Sequence, residues 1–236
     1  MGPYIAVCGL YVLLLAVVQL IRIEASSSSY KAPPLSSPSV IEVVGVPARS
    51  LKQLVSDLAY LSAVLASAVI YGSMSSMMNA TPLEMRRVGH SFDDSTLALE
   101  IHILGMFLPA TVSGHVITRI GAITTTIVGF SLFIGFTAIY YINNSTTVFA
   151  VAMFGIGLGW SFGLVGATAM LSTTFKPCER TTAQGFNEIV MVGVLATYVV
   201  TASFAKTGLG WDVYLAVQML GVSVTLILLL LMRRGC

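Results

Sequence analysis

Charge is what this sequence has least of. Asp, Glu, Lys and Arg make up 9% of its 236 residues, 56% are hydrophobic, and the mean hydropathy is +0.89. A soluble domain of this length neither needs so much apolar surface nor has the interior to hide it, which excludes a water-soluble enzyme or binding module. The formal charge of +2 is too small to hold nucleic acid, and the basic residues fall in short connections. Cysteine is sparse too: Cys8, Cys178 and Cys236 are far apart, odd in number and without metal-ligand spacing, so neither a disulfide framework nor a zinc site is expected. The chain has no Ser-centred elbow and no Gly-rich phosphate loop. Gly155-x-Gly157-x-Gly159 lies inside an apolar span with no strand before it, so it reads as a packing feature, not a nucleotide motif. No catalytic residue, cofactor or metal is expected, and the chain is not read as an enzyme.

What the sequence does have is apolar runs of bilayer length. With about 20 residues per helical crossing, seven are expected, at about 3–21, 55–78, 96–117, 121–142, 147–172, 183–205 and 211–232. The expected fold is an all-α polytopic membrane bundle in three parts: a helix within 1–23, a flexible linker over 24–53 and a six-helix bundle over 54–236. The linker reading rests on Ser26-Ser27-Ser28-Ser29, Pro33-Pro34 and Ser36-Ser37-Pro38. Alternate connections divide the 12 basic residues unequally, with Arg86, Arg87 and Lys206 on one side and the rest on the other. The richer side should be cytoplasmic, which places the C-terminus inside and Asn143-Asn144-Ser145-Thr146 in an outward loop.

Polar residues inside the spans carry the functional expectation. Glu188 is the costliest, since a carboxylate at the bilayer centre is disfavoured by on the order of 3 kcal/mol and should face a cavity or a partner. Gln184 lies one turn earlier on the same face and Asn187 is adjacent, so these three are candidates for proton coupling or solute contact. The stretch from Glu100 to Gly121 is interrupted by Gly105 and Pro109, and its His102 is expected on the lumen side with Met106 and Pro109, while Glu100 points away towards the outer boundary. Asn79-Ala80-Thr81-Pro82 is expected to end the second crossing, Asp57 to begin it, and Asp93-Asp94 to form a solvated loop pair. Gly155, Gly159 and Gly163 recur every four residues and are expected to form a close helix-packing face.

Three stretches together resemble the major facilitator superfamily of transporters. His102-Ile103-Leu104-Gly105-Met106-Phe107-Leu108-Pro109, with Gly114-His115-Val116-Ile117-Thr118-Arg119-Ile120-Gly121, resembles that family's eighth helix and the cytoplasmic turn after it. Gly157-Leu158-Gly159-Trp160-Ser161-Phe162 resembles the tenth helix, and Arg180-Thr181-Thr182-Ala183-Gln184-Gly185-Phe186-Asn187-Glu188 is similar to the start of the eleventh. The resemblance implies the C-terminal half of the fold, helices six to twelve, in a secondary transporter of a small organic solute that is proton-coupled or runs downhill. Gly114, Arg119 and Gly121 would mark a gating turn, although Thr118 stands where an acidic residue usually precedes the Arg. The family's route lies between two six-helix halves, so the implied partners are the lipid bilayer, a small solute, protons and a second chain supplying the other half. A seven-helix receptor would share the helix count and topology, and a non-transporting membrane subunit is a further class. The Gly-rich fifth crossing, the lack of a basic triplet after the third helix and the lack of a cysteine pair for the outer loops favour the carrier over the receptor.

Overall fold

A computed structural model describes residues 48–204 and 210–235. The first expected crossing and most of the expected linker, with Cys8 and Cys236, lie outside the described residues. Residues 48–50 are extended, and Ser50 then caps a short helix, α1 (Leu51–Val55), accepting from the Gln53 amide at 3.4 Å while the Gln53 side chain accepts from Ser50 N at 2.8 Å. Asp57 caps α2 (Leu58–Arg87) by accepting from Ala59 N at 3.0 Å.

The expected stop at Asn79-Ala80-Thr81-Pro82 is not one. α2 continues through Pro82 to Arg87. Membrane helices tolerate an internal proline because neighbouring groups re-satisfy the freed backbone, and here packing holds the final turns. Thr81, Glu84 and Met85 are buried, Thr81 shares a 3.2 Å hydrogen bond with Tyr140, and Arg87 grips Glu84 through Nε and Nη2 at 2.8 and 2.6 Å.

Asp93 and Asp94 belong to the first turn of α3 (Phe92–Phe107), not to a loop, because Ser91 and Asp94 form a reciprocal capping box. After Leu108 and Pro109 the chain re-enters a helix as α4 (Ala110–Ile120), bent by 41° from α3. Gly121, at φ +82° and ψ 158°, turns the chain into α5 (Ala122–Ala138), which ends in a 3-10 turn at Ile139–Tyr141. Only glycine adopts that conformation freely, so Gly121→Ala is expected to cost about 1–3 kcal/mol and to lower the melting temperature without altering neighbouring packing, since a Cβ there meets open space. The remaining helices are α6 (Thr146–Ser172), α7 (Arg180–Phe204), entered through a 3-10 turn at Pro177–Glu179, and α8 (Trp211–Gly235).

Five helices of the described residues are long and apolar enough to cross a membrane, and the bent pair α3–α4 makes a sixth. Together with the absence of strands among those residues, this makes the chain an all-α, multi-pass membrane bundle. α2 is its centre, packing on α3, α6, α7 and α8, and the small side chains of Ala63, Ala66, Ser67, Ala68, Gly72, Ser73 and Ser76 let those neighbours close in. The core runs from Ile70 and Met77 through Phe130, Phe133 and Met153 to Tyr214 and Leu215.

The glycines of α6 serve three different seams. A Cβ on Gly159 would lie 2.6 Å from Phe133 N and 2.8 Å from Gly129 O, one on Gly155 would collide with the Phe136 ring, and one on Gly166 would lie 2.7 Å from Thr126 N, all on α5. Gly157 faces α3 instead, where a Cβ would lie 2.6 Å from His102 O, and Gly163 meets Ile70 of α2 at 2.9 Å.

Candidate functional site

The placement of polar groups on α7 follows from its helical repeat. Positions 179, 183, 187 and 191 lie on one stripe, and Glu179, Ala183, Asn187 and Met191 are buried, turned to the α2 side. Gln184, Gly185, Glu188, Ile189 and Val192 are exposed. Polar residues tie the buried stripe to α2: Tyr60 Oη donates to Ala183 O at 2.8 Å, and Ser67 Oγ donates to Asn187 Oδ1 at 2.6 Å. Asn187 Nδ2 also lies 3.2 Å from Met191 Sδ.

On the exposed side, the end of α6 and the start of α7 enclose a cleft of about 320 Å³, lined by Thr168, Ser172, Gln184, Asn187 and Glu188 with Leu171, Phe175 and Gly185. The Thr168 and Ser172 hydroxyls donate to carbonyls of their own helix, Leu164 O at 2.9 Å and Ala169 O at 2.7 Å, leaving oxygen lone pairs towards the cleft. Gln184 Oε1 accepts from Arg180 Nε at 3.4 Å. Among the described residues no cation is within ion-pair distance of Glu188. A carboxyl group without a cationic partner within an apolar span generally faces a water-filled cavity or a polar partner. A larger recess of about 590 Å³ lies between α2 and α8, but leucines dominate its lining and its Ser62 and Thr225 hydroxyls are spent on Ala59 O and Gly221 O. It holds no group able to carry a proton.

The structure brings Gln184, Asn187 and Glu188 together on this cleft and places His102 elsewhere. His102 is fully buried in the seam between α3 and α6, where its Nδ1 donates to Met153 O at 2.7 Å. Glu100, two residues earlier, is exposed. Arg119 and Gly114 are exposed on α4, and Thr118 donates to His115 O at 2.9 Å.

One polar centre has no counterpart in the sequence reading. At the base of the bundle, Glu179 is enclosed by the α6–α7 connection and accepts from Arg49 N at 2.7 Å, Arg49 Nε at 3.0 Å, Arg49 Nη2 at 2.9 Å and Lys176 N at 2.9 Å. That contact raises the Arg49 guanidinium above its ordinary value, first through the hydrogen bonds to Glu179 and then, against some desolvation, through the negative charges of Glu179 and Asp57. The only sequence signal was an acid set between Lys176 and Arg180, which suggests pairing within the turn and not with a residue 130 positions away.

Comparison with known proteins bears on what the bundle belongs to. A riboflavin transporter of Brucella anthropi is 34% identical to this chain over 184 residues, 77% of the chain and 45% of the transporter. Two uncharacterised MFS-type transporters of Bacillus subtilis are each 28% identical, over 66% and 50% of the chain and 36% and 28% of their own lengths. The chain is a relative of major facilitator-type transporters. No family model matches it. The alignments span less than half the length of each of these relatives.

Proposed function

We propose that this bundle forms one wall of the route of a secondary transporter for a small organic solute, with Glu188 as the group that exchanges a proton or meets the solute. The observation that carries this reading is the exposed carboxylate beside a polar cleft within an apolar span. Eight residues beyond Arg180, Glu188 lies roughly 12 Å along the helix axis, well past the interface. Gln184 supplies a neutral donor and acceptor on the same face, and Asn187 shapes the cleft wall while anchored to Ser67, whereas His102, buried in the α3–α6 seam, serves packing and not coupling. Gly114 and Arg119 lie within helix α4 and not in a turn, so the proposed cytoplasmic gate is the end of α4 with Arg119 and the turn at Gly121, and the excess of Lys and Arg on that side supports a cytoplasmic C-terminus. The complementary wall comes from further helices of this chain or from a second chain. The likeness to a riboflavin transporter supports a planar aromatic heterocycle as the first solute to try.

The test is uptake of labelled riboflavin into proteoliposomes holding the full chain, with and without an imposed pH gradient. Glu188→Gln should lower gradient-driven uptake at least tenfold, while Glu188→Asp retains part of it. An unchanged gradient dependence in Glu188→Gln would remove that residue from the coupling step. Riboflavin flux equal to that of empty vesicles would overturn the proposed solute.

A further inference from the structure

Polar ties between α2, with the residues that lead into it, and α7 recur at four depths. From the base they are Arg49 with Glu179, Tyr60 with Ala183 O, Ser67 with Asn187, and Ser76 Oγ with Tyr198 O at 3.4 Å. The lowest is far the densest. The Glu179 side chain has no exposed surface, and its two oxygens take four N–H donors, three of them from Arg49. The same guanidinium also reaches Asp57 Oδ2, at the cap of α2, at 3.2 Å, and Thr174 O, just past the end of α6, at 2.6 Å. A single side chain thus joins the ends of three helices. Its planar fork fixes direction as well as distance, which a lysine at the same position cannot do.

We propose that Arg49 is a positioning residue that sets the rotation of α7 about its own axis. Successive residues of a helix are about 100° apart, so the angle at which Glu179 is held decides which later residues face α2. With Glu179 clamped, Ala183 and Asn187 point inward and Gln184 and Glu188 reach the cleft. A turn of one residue would present Ala183 where Gln184 now stands. The carboxylate holds that angle because a buried charge stripped of its partner is strongly unfavourable. The inference deepens the transporter reading, on which its consequence for Glu188 rests, but the clamp itself can be tested with no solute.

The experiment uses the full chain in lipid nanodiscs with Cys8, Cys178 and Cys236 changed to Ser and one new cysteine added, reacted with a membrane-impermeant maleimide. With Arg49 intact, Gln184→Cys should react fast, and Ala183→Cys and a core reporter on α6, Ala152→Cys, slowly. In Arg49→Lys the Ala183→Cys rate should rise at least tenfold while Ala152→Cys stays slow, and Glu179→Gln should give the same pattern with no further increase when combined with Arg49→Lys. Amide exchange in the cysteine-free parent supplies a second readout, with residues 177–190 accelerating and α5 and α6 unchanged. An inert Ala183→Cys with no acceleration at 177–190 in Arg49→Lys overturns the proposal. So does a rise at Ala152→Cys as large as that at Ala183→Cys, which would make Arg49 a general fastener of the fold. Absence of riboflavin uptake by the chain with Arg49 intact, alongside the expected labelling pattern, would count against the transporter reading alone.

Discussion

Gly129→Val is expected to abolish recovery of monodisperse protein from membranes, or to lower its melting temperature more than any other single substitution considered. A Cβ on Gly129 would lie 2.5 Å from Gly163 Cα and 2.7 Å from Gly159 O, so the obstacle is backbone on α6 and no rotamer change relieves it. Overpacking a close-packed interior costs about 1–3 kcal/mol when side chains can yield, and more is expected where two backbones are already in contact. The α5–α6 seam is the most extensive in the bundle, so parting it would also pull Phe130 and Phe133 from the core. Gly135→Val on the same helix is the control, since a Cβ there meets nothing within 4 Å. Equal recovery of both variants would remove close backbone approach as the basis of the seam.

The second large effect concerns His102. His102→Ala should destabilise the bundle by about 2–4 kcal/mol, in the range of large-to-small changes at buried sites, because it empties a fully enclosed position between α3 and α6. A drop of roughly 5 °C or more in melting temperature is the expected reading for a chain of this size. The pH-gradient dependence of uptake should be retained, since the imidazole is sealed in the α3–α6 seam, its Nδ1 held by Met153 O, and does not line the cleft with Glu188. The opposite pair of results, normal melting with lost gradient dependence, would place His102 in the proton route.

These expectations show which parts of the molecule local sequence could reveal. The fifth crossing, read as 147–172, is α6 at Thr146–Ser172, because Asn143-Asn144-Ser145 offers a cap before an unbroken apolar run. Pro109 marks the break in the third crossing and the structure bends there, whereas Gly105 lies inside α3 and serves close packing against the Phe154 backbone of α6. Pro82 misled for a physical reason: proline is a reliable stop where freed carbonyls meet water, and a poor one where Thr81, Glu84 and Met85 are drawn into a packed interior. His102 and Glu188 are equally polar entries in an apolar sequence, yet one is sealed in a seam and the other opens on a cleft, and which face of a helix meets which neighbour is not a local property. Glu179 and Arg49 were invisible for the same reason, since nothing near either residue signals the other.

α4 has only Ser113 buried, and that hydroxyl donates to Ala110 O of its own helix. With Pro109 at one end, Gly121 at the other and hardly any grip on the trunk, this short arm is joined to the rest almost as an oar is held in its lock. Among the described helices it should be the first whose amides exchange on warming.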